Sequence, residues 1–424
     1  MPFFGENEGS KSRHSVTLSF GDIEMQIAHF TNAYLPVISG VVRSVSSFRE
    51  ALTRLGHNVF VFAQDSNGYE DREPFVFRYP AINLPLAGDF PAVIPISSFI
   101  DQLLPPLKLD VIHAHHPILL GQAAANKAQE LNLPFIFTFH TRYREYSHYF
   151  PLPQEIVQEF LKGAIDHWLM DFMRKCQHIV VPTPSMRQVL ENDYGLRERV
   201  SVIPTGIDLK PYKQADGEAI RAENDWNGKR IMVSVGRMAQ EKNWPTLLEA
   251  GAIAMQKHKD LYFILIGDGP DRDDLEDLTF ELGIADRVEF TGKLPFEEVP
   301  GYLKAADFFG FSSVTETQGL VSLEALAAGL PVIAIDATGT RDVVEDNKVG
   351  LLTENNGQAL AAAMDRLLSE DDLMNRFRGA ALAHAASFDI MTQAKKLLEV
   401  YQQAREDKQA NRYVSLERKK EIVD

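Results

Sequence analysis

One cysteine, Cys176, stands in 424 residues. An internal disulfide is therefore excluded, and the chain suits a reducing compartment. Long apolar runs are missing too. None approaches the roughly 18 to 20 residues that span a bilayer. Residues 1–24 hold Glu6, Glu8 and Asp22 and no apolar core, so they do not read as a signal peptide and are expected to be a disordered extension. Positive charge is scarce: 43 Lys and Arg against 59 Asp and Glu leave a net charge of −16. That balance argues against nucleic acid as a partner. The deficit is uneven. Residues 25–210 carry 16 basic and 18 acidic side chains, whereas residues 211–424 carry 25 and 37. The near-neutral first half is the one suited to touch an anionic membrane, so a peripheral contact there stays open. The expected location is the cytoplasm, with the inner face of the membrane as the place for such a contact. No short-period repeat is present. No intact G-x-G-x-x-G with an acidic residue about 20 positions on follows the first apolar strand, which argues against a nicotinamide-dependent oxidoreductase.

What the chain does have is alternation. Residues 25–32, 58–63, 109–114, 134–139, 179–182 and 200–203 read as strands. Between them, residues 41–55, 119–131, 154–175 and 185–194 read as helices, the first with Val41, Val45, Phe48, Leu52 and Leu55 at helical spacing. Residues 72–106 are Pro-rich and less regular. Residues 207–229 show little apolar periodicity and read as a linker. A second series of strands then starts, at 230–236, 261–267, 288–291, 306–311 and 331–335. The fold class is α/β: two Rossmann-like, doubly wound parallel-sheet domains. The expected division is an extension (1–24), a first domain (25–206), a second domain (207–388) and a last segment (389–424). That last segment is expected to cross back to the first domain as a helix and to end in a charged, frayed tail. Two such sheets bring their carboxyl ends, where ligands bind, to one cleft.

The stretch 311–331, FSSVTETQGLVSLEALAAGLP, organises the rest. A polar loop leads into a helix-like run, 318–328, that is small or apolar on most sides and therefore buried. Gly329 and Pro331 stop it. Glu324 lies inside the run, and a buried carboxylate needs a partner. Glu316 stands in the loop eight positions earlier. Backbone N–H groups at Gly319 and Leu320 suit a phosphate at a helix start. Two carboxylates and an anion seat fit a sugar nucleotide. A plainer reading pairs Glu324 with an internal Arg or Lys.

Four more constellations carry chemistry. The turn 34–40 runs into a helix, and Gly40 permits close backbone approach. His113, His115 and His116 cluster where a strand gives way to a loop. No His-Glu-x-x-His or cysteine spacing supports a metal there, so a hydrogen bond to bound sugar is the functional reading and a satisfied core histidine the plain one for His113. His140, Arg142, Tyr143 and Tyr146 follow the next strand and mix cations with aromatics, which suits an acceptor headgroup or simply an anchored surface loop. Arg237 and Lys242 sit five apart after the first strand of the second series, placed to clamp a pyrophosphate. Loops at Gly267 and at Lys293-Leu294 end further strands and offer backbone groups to a base and phosphates.

Arg237 with Lys242, IGDGP at 266–270, Glu316 with Glu324, the strand ending His113-Ala-His115, and IPTGID at 203–208 together resemble a family 4 retaining glycosyltransferase of the GT-B fold. The resemblance covers about residues 25–405. Two departures are Ser39-Gly40, where many relatives have paired glycines, and Thr340-Arg-Asp342, where a Pro-Glu pair is common. FTNAYLPVISGVV and TFHTRYREYSHYF are similar to the glycolipid branch, the diacylglycerol glucosyltransferases. The resemblance implies a donor nucleotide sugar on the second domain, UDP-glucose first and GDP-mannose second, and an acceptor on the first. It implies Glu324 on the ribose, Arg237 and Lys242 on the pyrophosphate, Glu316 on the donor sugar, Gly319 and Leu320 on the phosphates, and His115 on the sugar near the reacting centre. It implies no metal, no cofactor and no covalent intermediate. A helix over 154–175, with Phe160, Trp168, Leu169, Met170, Phe172 and Met173 beside Lys162, Arg174 and Lys175, can rest on a bilayer or pack on its own sheet. The expected function is hexose transfer to a hydroxyl acceptor, a membrane lipid such as diacylglycerol. A soluble glycan or small-molecule acceptor, and a non-catalytic sugar-nucleotide binder, remain alternatives.

Overall fold

The computed structural model describes residues 24–66, 68–82, 92–143 and 155–416. The expected extension, apart from Glu24, and the last eight residues of the charged tail lie outside them, as does Tyr146. Among the described residues, nine strands fall in the first half: β1 (Gln26–Thr31), β2 (Asn58–Gln64), β3 (Val76–Tyr79), β4 (Ala81–Ile82), β5 (Ala92–Val93), β6 (Val111–Ala114), β7 (Phe135–Thr138), β8 (His178–Val181) and β9 (Val200–Val202). Six follow: β10 (Arg230–Val235), β11 (Leu261–Ile266), β12 (Val288–Gly292), β13 (Phe308–Phe311), β14 (Val332–Ile335) and β15 (Gly350–Thr353). The first sheet runs β3-β2-β1-β6-β7-β8-β9 and the second β12-β11-β10-β13-β14-β15; β4 and β5 form a small antiparallel ribbon. Every strand pair within the two large sheets is parallel. The inner strands β6, β7, β13 and β14 are buried along both faces, as parallel strands covered by helices must be.

The strand order reverses between β1 and β6 in one sheet and between β10 and β13 in the other. A crevice opens at the carboxyl ends of such switch points. The loops that follow these four strands carry His115, His116, Gly40, Arg237, Lys242, Glu316 and Gly319. The topology alone thus places most of the sequence-predicted residues at the mouths of two crevices.

Two helices begin at those mouths. Gly40–Arg54 starts at Ser39, whose hydroxyl accepts from the Val42 amide at 3.3 Å, and it buries Val42, Val45, Phe48 and Leu52. Leu320–Ala327 starts at Gly319, whose φ of 69° suits a residue without a Cβ. It ends at Gly329, also left-handed at φ 86°.

Three sequence expectations change. Residues 76–79, inside the irregular stretch, form an edge strand on β2, and Gly350–Thr353 adds a strand beyond 331–335. The stretch 207–229 is not a linker. It forms the helices Lys210–Gln214 and Gly217–Glu223, and Tyr212 and Trp226 are buried in the second domain's core. A few large aromatics anchor it, so periodicity gave no sign. In the helix Glu155–Met173, Leu169, Met170, Phe172 and Met173 are buried in the first domain's core, so that end packs on its own sheet; Phe160 and Lys162 lie outside the described side chains.

The last helix, Ile390–Gln409, lies on the first domain. Its Ala394, Leu397, Val400, Tyr401 and Ala404 close a core with Ile27, Phe48, Leu52, Val59, Val111 and Ile136. No helix among the described residues is long and apolar enough to cross a membrane. Leu397 is fully enclosed at this seam. Leu397→Ala should therefore destabilise the first domain by about 2 to 5 kcal/mol, read as a lowered urea midpoint with the slope unchanged.

Candidate active site

The loop after β13 is the centre of the site. Lys242 Nζ lies 2.5 Å from Glu316 Oε1, and the Ser313 hydroxyl donates to the same oxygen at 2.8 Å. Burial opposes ionisation of Glu316, but the Lys242 charge and these two hydrogen bonds outweigh it and hold the carboxyl below its usual range. Lys242 reaches this point from a short 3-10 turn, Gln240–Lys242, and Ser312 Oγ bonds the Lys242 carbonyl at 2.9 Å. The two strand-end loops are thus tied by backbone as well as by charge. Arg237 stands exposed at the start of the same loop. Its carbonyl accepts from the Trp244 indole at 2.9 Å, and its guanidinium lowers the neighbouring Asp271 against a net upward shift caused mainly by burial.

Backbone approach is unusually close nearby. A Cβ on Gly267 would lie 1.8 Å from the Gly236 carbonyl oxygen, and one on Gly269 2.2 Å from that of Met238. The loops after β10 and β11 therefore stack as bare chain, and the Asp268 carbonyl accepts from the Met238 amide at 3.0 Å. Lys293 is exposed just past β12, and Leu294 packs on the second core.

Glu324 meets a partner from the other domain. Arg43 Nη2, on the helix Gly40–Arg54, lies 2.8 Å from Glu324 Oε1. The Arg43 guanidinium also sits over the Phe296 ring, 3.4 Å from its centroid. Burial still raises the Glu324 carboxyl above its usual range, because Arg43 offsets only part of that effect. Gly40 faces the same helix: a Cβ there would come 3.8 Å from Leu320 Cδ1, an ordinary contact with room to spare. A narrow crevice lined by Arg43, Ser47, Thr205, Leu320, Leu323 and Glu324 marks this meeting line. Gln318 locks it, since its side-chain amide both accepts from and donates to the Thr205 backbone at 2.8 Å. The Thr183 hydroxyl bonds the Thr317 carbonyl at 2.9 Å.

The histidines form a second cluster, under the first domain's carboxyl end. His115 is 1% exposed, and both its ring nitrogens are engaged: Nε2 with His29 Nδ1 at 2.8 Å and Nδ1 with His140 Nε2 at 2.9 Å. His113 is a satisfied core histidine, between Thr138 Oγ1 at 2.7 Å and Tyr401 OH at 2.8 Å. His116 Nδ1 accepts from the Asn32 amide at 3.1 Å. Burial lowers all of them: His29 and His140 to about 3, His116 to about 4, and His113 and His115 well below the ordinary value. One nitrogen from each of His29, His113 and His115 fits within a span of 4.8 Å, a spacing open to a metal ion. Each ring nitrogen of those three already faces a neighbouring nitrogen or hydroxyl, so a metal there would have to displace hydrogen bonds. Tyr143 packs edge-on against Phe139, and Arg142 lies half-buried beside it.

The structure therefore brings Lys242, Glu316, Gly319, Leu320, Glu324 and Gly40 together, with Arg237 at the rim. His115, His140, Arg142 and Tyr143 form a separate group in the first domain. Sequence reasoning missed Arg43, Gln318, His29 and Tyr401. The signal for His29 was present, a histidine inside an otherwise apolar strand. Arg43 left none, because a cation on a helix is ordinary until its partner is known.

Residues 216–384 match the family described as Glycosyl transferases group 1, and residues 38–211 the one described as Glycosyltransferase Family 4. The alpha-monoglucosyldiacylglycerol synthase of Streptococcus pneumoniae is 32% identical over 358 residues, covering 82% of this chain and 80% of the relative. That of Acholeplasma laidlawii is 33% identical over 351 residues, covering 78% and 85%. Among solved structures, Anabaena HepE in complex with UDP superposes with a TM-score of 0.69 at 19% identity, over 88% of this chain and 99% of that one.

The Arg43–Glu324 pair is testable without substrate. Arg43→Ala strands a buried carboxylate and should cost about 1 to 3 kcal/mol of stability, with part recovered in Arg43→Ala/Glu324→Gln. A carboxyl whose folded pKa is raised favours the folded state below the carboxylate range and loses that advantage as pH rises through it. The deficit of Arg43→Ala, whose Glu324 is raised further, should be largest at neutral pH and shrink on acidification, as read by urea unfolding.

Proposed function

The chain belongs to the family 4 glycosyltransferases, and on that footing we propose that it moves glucose from UDP-glucose to a lipid hydroxyl, with diacylglycerol as the acceptor and with retention at the anomeric carbon. The observation that carries this reading is the joined set Lys242, Glu316 and Glu324 around the start of the helix Leu320–Ala327. A diphosphate at that helix start meets the N–H groups of Gly319 and Leu320 and the positive end of the helix. Lys242, with Arg237 at the rim, balances the charge that grows on the diphosphate as the sugar–phosphate bond breaks. Glu316, kept ionised by Lys242 and Ser313, accepts a hydrogen bond from a hydroxyl of the donor sugar. Glu324 accepts from the ribose hydroxyls, exchanging its contact with Arg43 for one with the nucleotide. No metal is needed for any of these roles.

Support for a lipid acceptor comes from the two glucosyldiacylglycerol synthases and from the surface of the first domain. Ile38, Ile94, Ile96, Phe99 and Ile118 are exposed there. The Asn32 side chain accepts from the Leu120 amide and donates to the Ile118 carbonyl, so the loops after β1 and β6 carry Ile38 and Ile118 at the same carboxyl end. That end, which also carries the acceptor-side residues His140, Arg142 and Tyr143, is the part we assign to a peripheral contact with the inner membrane face.

Nucleoside diphosphate release from a panel including UDP-glucose and GDP-mannose, with and without diacylglycerol in mixed micelles, tests both halves. Release from UDP-glucose should rise sharply with the lipid. Slow hydrolysis that the lipid leaves unchanged would move the acceptor to a soluble compound. Lys242→Ala should lower kcat by about 100-fold or more, the usual cost of losing a charge-stabilising donor. Near-normal turnover in both Lys242→Ala and Arg237→Ala would remove the clamp assignment.

A further inference from the structure

Beneath the acceptor side of the first domain runs a chain of polar groups that the proposed transfer does not use. Thr138 Oγ1 lies 2.7 Å from His113 Nε2, and His113 Nδ1 lies 2.8 Å from Tyr401 OH. Tyr401 OH lies 3.3 Å from His29 Nε2, and His29 Nδ1 lies 2.8 Å from His115 Nε2. His115 Nδ1 lies 2.9 Å from His140 Nε2. All six residues are buried, His140 least at 9% exposure. The chain begins on β7, passes through the last helix, and ends at the mouth of the first sheet.

Counting protons fixes its direction. A neutral imidazole has one N–H and one lone pair. Each ring engaged at both nitrogens must therefore donate through one and accept through the other, and the choice propagates along the chain wherever the Tyr401 hydroxyl donates to one ring and accepts from the other. Three assignments satisfy the five contacts, and in one of them Tyr401 accepts from both His113 and His29, which leaves its own O–H, fully buried, with no acceptor among the described residues. In another, protons point from His140 toward Thr138. The Thr138 hydroxyl then accepts from His113, and its own proton has no acceptor among the described residues, in a buried place where donors are normally satisfied. In the third, Thr138 donates to His113 Nε2, His113 Nδ1–H to Tyr401, Tyr401 O–H to His29 Nε2, His29 Nδ1–H to His115, and His115 Nδ1–H to His140 Nε2. Every proton within the chain then meets a lone pair, and the one left over falls on His140, the least buried member, at the mouth of the sheet. His140, accepting at Nε2, carries its proton on Nδ1, which has no partner among the described residues.

We propose that Thr138 and Tyr401 are positioning residues that, through His113, His29 and His115, keep His140 protonated at Nδ1, so that it offers a hydrogen-bond donor to an oxygen of the acceptor substrate. The inference rests on reading His140 as an acceptor-side residue. A donor there has a chemical use. As the acceptor oxygen bonds to the anomeric carbon, the sugar–phosphate bond breaks with its electron pair on the diphosphate, and the acceptor's proton passes to a phosphate oxygen. A basic His140 would compete for that proton. A donating one holds the oxygen and leaves the proton free to go.

Histidine ring 15N spectra of the full-length protein at neutral pH read the tautomers directly, with His140→Gln identifying the signals of His140. His140 should carry a single proton, on Nδ1. Thr138→Val removes the hydroxyl that sets the direction, and Tyr401→Phe removes the link. Each should turn His140 into a mixture of tautomers and raise the acceptor KM about tenfold, one neutral hydrogen bond's worth, with donor KM unchanged. Thr138→Ser should restore both. A proton on Nε2 in the wild type, a single Nδ1–H form that survives Thr138→Val, or a mixture with unaltered acceptor KM would each overturn the proposal. The tautomer spectra need no acceptor, so failure of the lipid reading in the micelle assay is a separate result. Thr138→Val alone suffices if Tyr401→Phe does not fold.

Discussion

A carboxylate in the middle of an apolar helix has to be met by a cation or a hydrogen-bond donor, and here the cation comes from the opposite domain. Glu324 reaches out of the helix Leu320–Ala327 to Arg43, and Arg43 in turn sits over the Phe296 ring. The helix that begins at the Gly319 turn, the proposed phosphate seat, is thereby also the helix that registers the position of the first domain. Gln318 and Thr317, just before it, bond to Thr205 and Thr183 across the same gap. The proposed donor site and the domain contact are built from one short stretch, so the two cannot vary independently. In the proposed donor complex, a ribose at Glu324 rearranges the ion pair and, with it, the seat of the first domain.

Charge is distributed to match. The second domain and last helix hold most of the acidic excess, yet the carboxylates of the site are individually partnered. Glu316 has Lys242 and Ser313, and Glu324 has Arg43. Their environments push them in opposite directions, Glu316 toward ionisation and Glu324 away from it. The histidine cluster follows the same logic without ions. Burial keeps its rings neutral, and neutrality is what allows each to donate once and accept once.

Much of this was legible in the sequence, for physical reasons that can be stated. Alternating apolar strands and helices dictate parallel sheets, and parallel sheets dictate where loops gather; the placement of Lys242, Glu316 and Gly319 follows. The helix 320–327 was legible because almost nothing in it is polar. What was not legible depends on two distant segments meeting. Arg43 and Glu324 are 281 positions apart, and His113 and Tyr401 are 288 apart. Tyr212 and Trp226 escaped because two large side chains anchor a stretch without making it periodic. His115, read as a sugar ligand, sits with both nitrogens engaged one step behind His140, an arrangement that depends on His29 in a different strand.

The return of the last helix has a consequence for how the molecule is made. The chain passes between domains twice, and the two passages lie side by side: the Ile207 amide bonds the Phe388 carbonyl at 2.9 Å, the Ile390 amide bonds the Ile207 carbonyl at 3.2 Å, and a Cβ on Gly206 would strike Ile390. In topology the second domain is an insertion between the last strand of the first and the helix that completes it. A ribosome therefore finishes the first domain last. One face of its sheet, with Ile27, Val111 and Ile136, is covered only in part, by Phe48 and Leu52 of the helix Gly40–Arg54, while the whole of the other domain is synthesised, and the emergence of Leu397 and Tyr401 completes the lid.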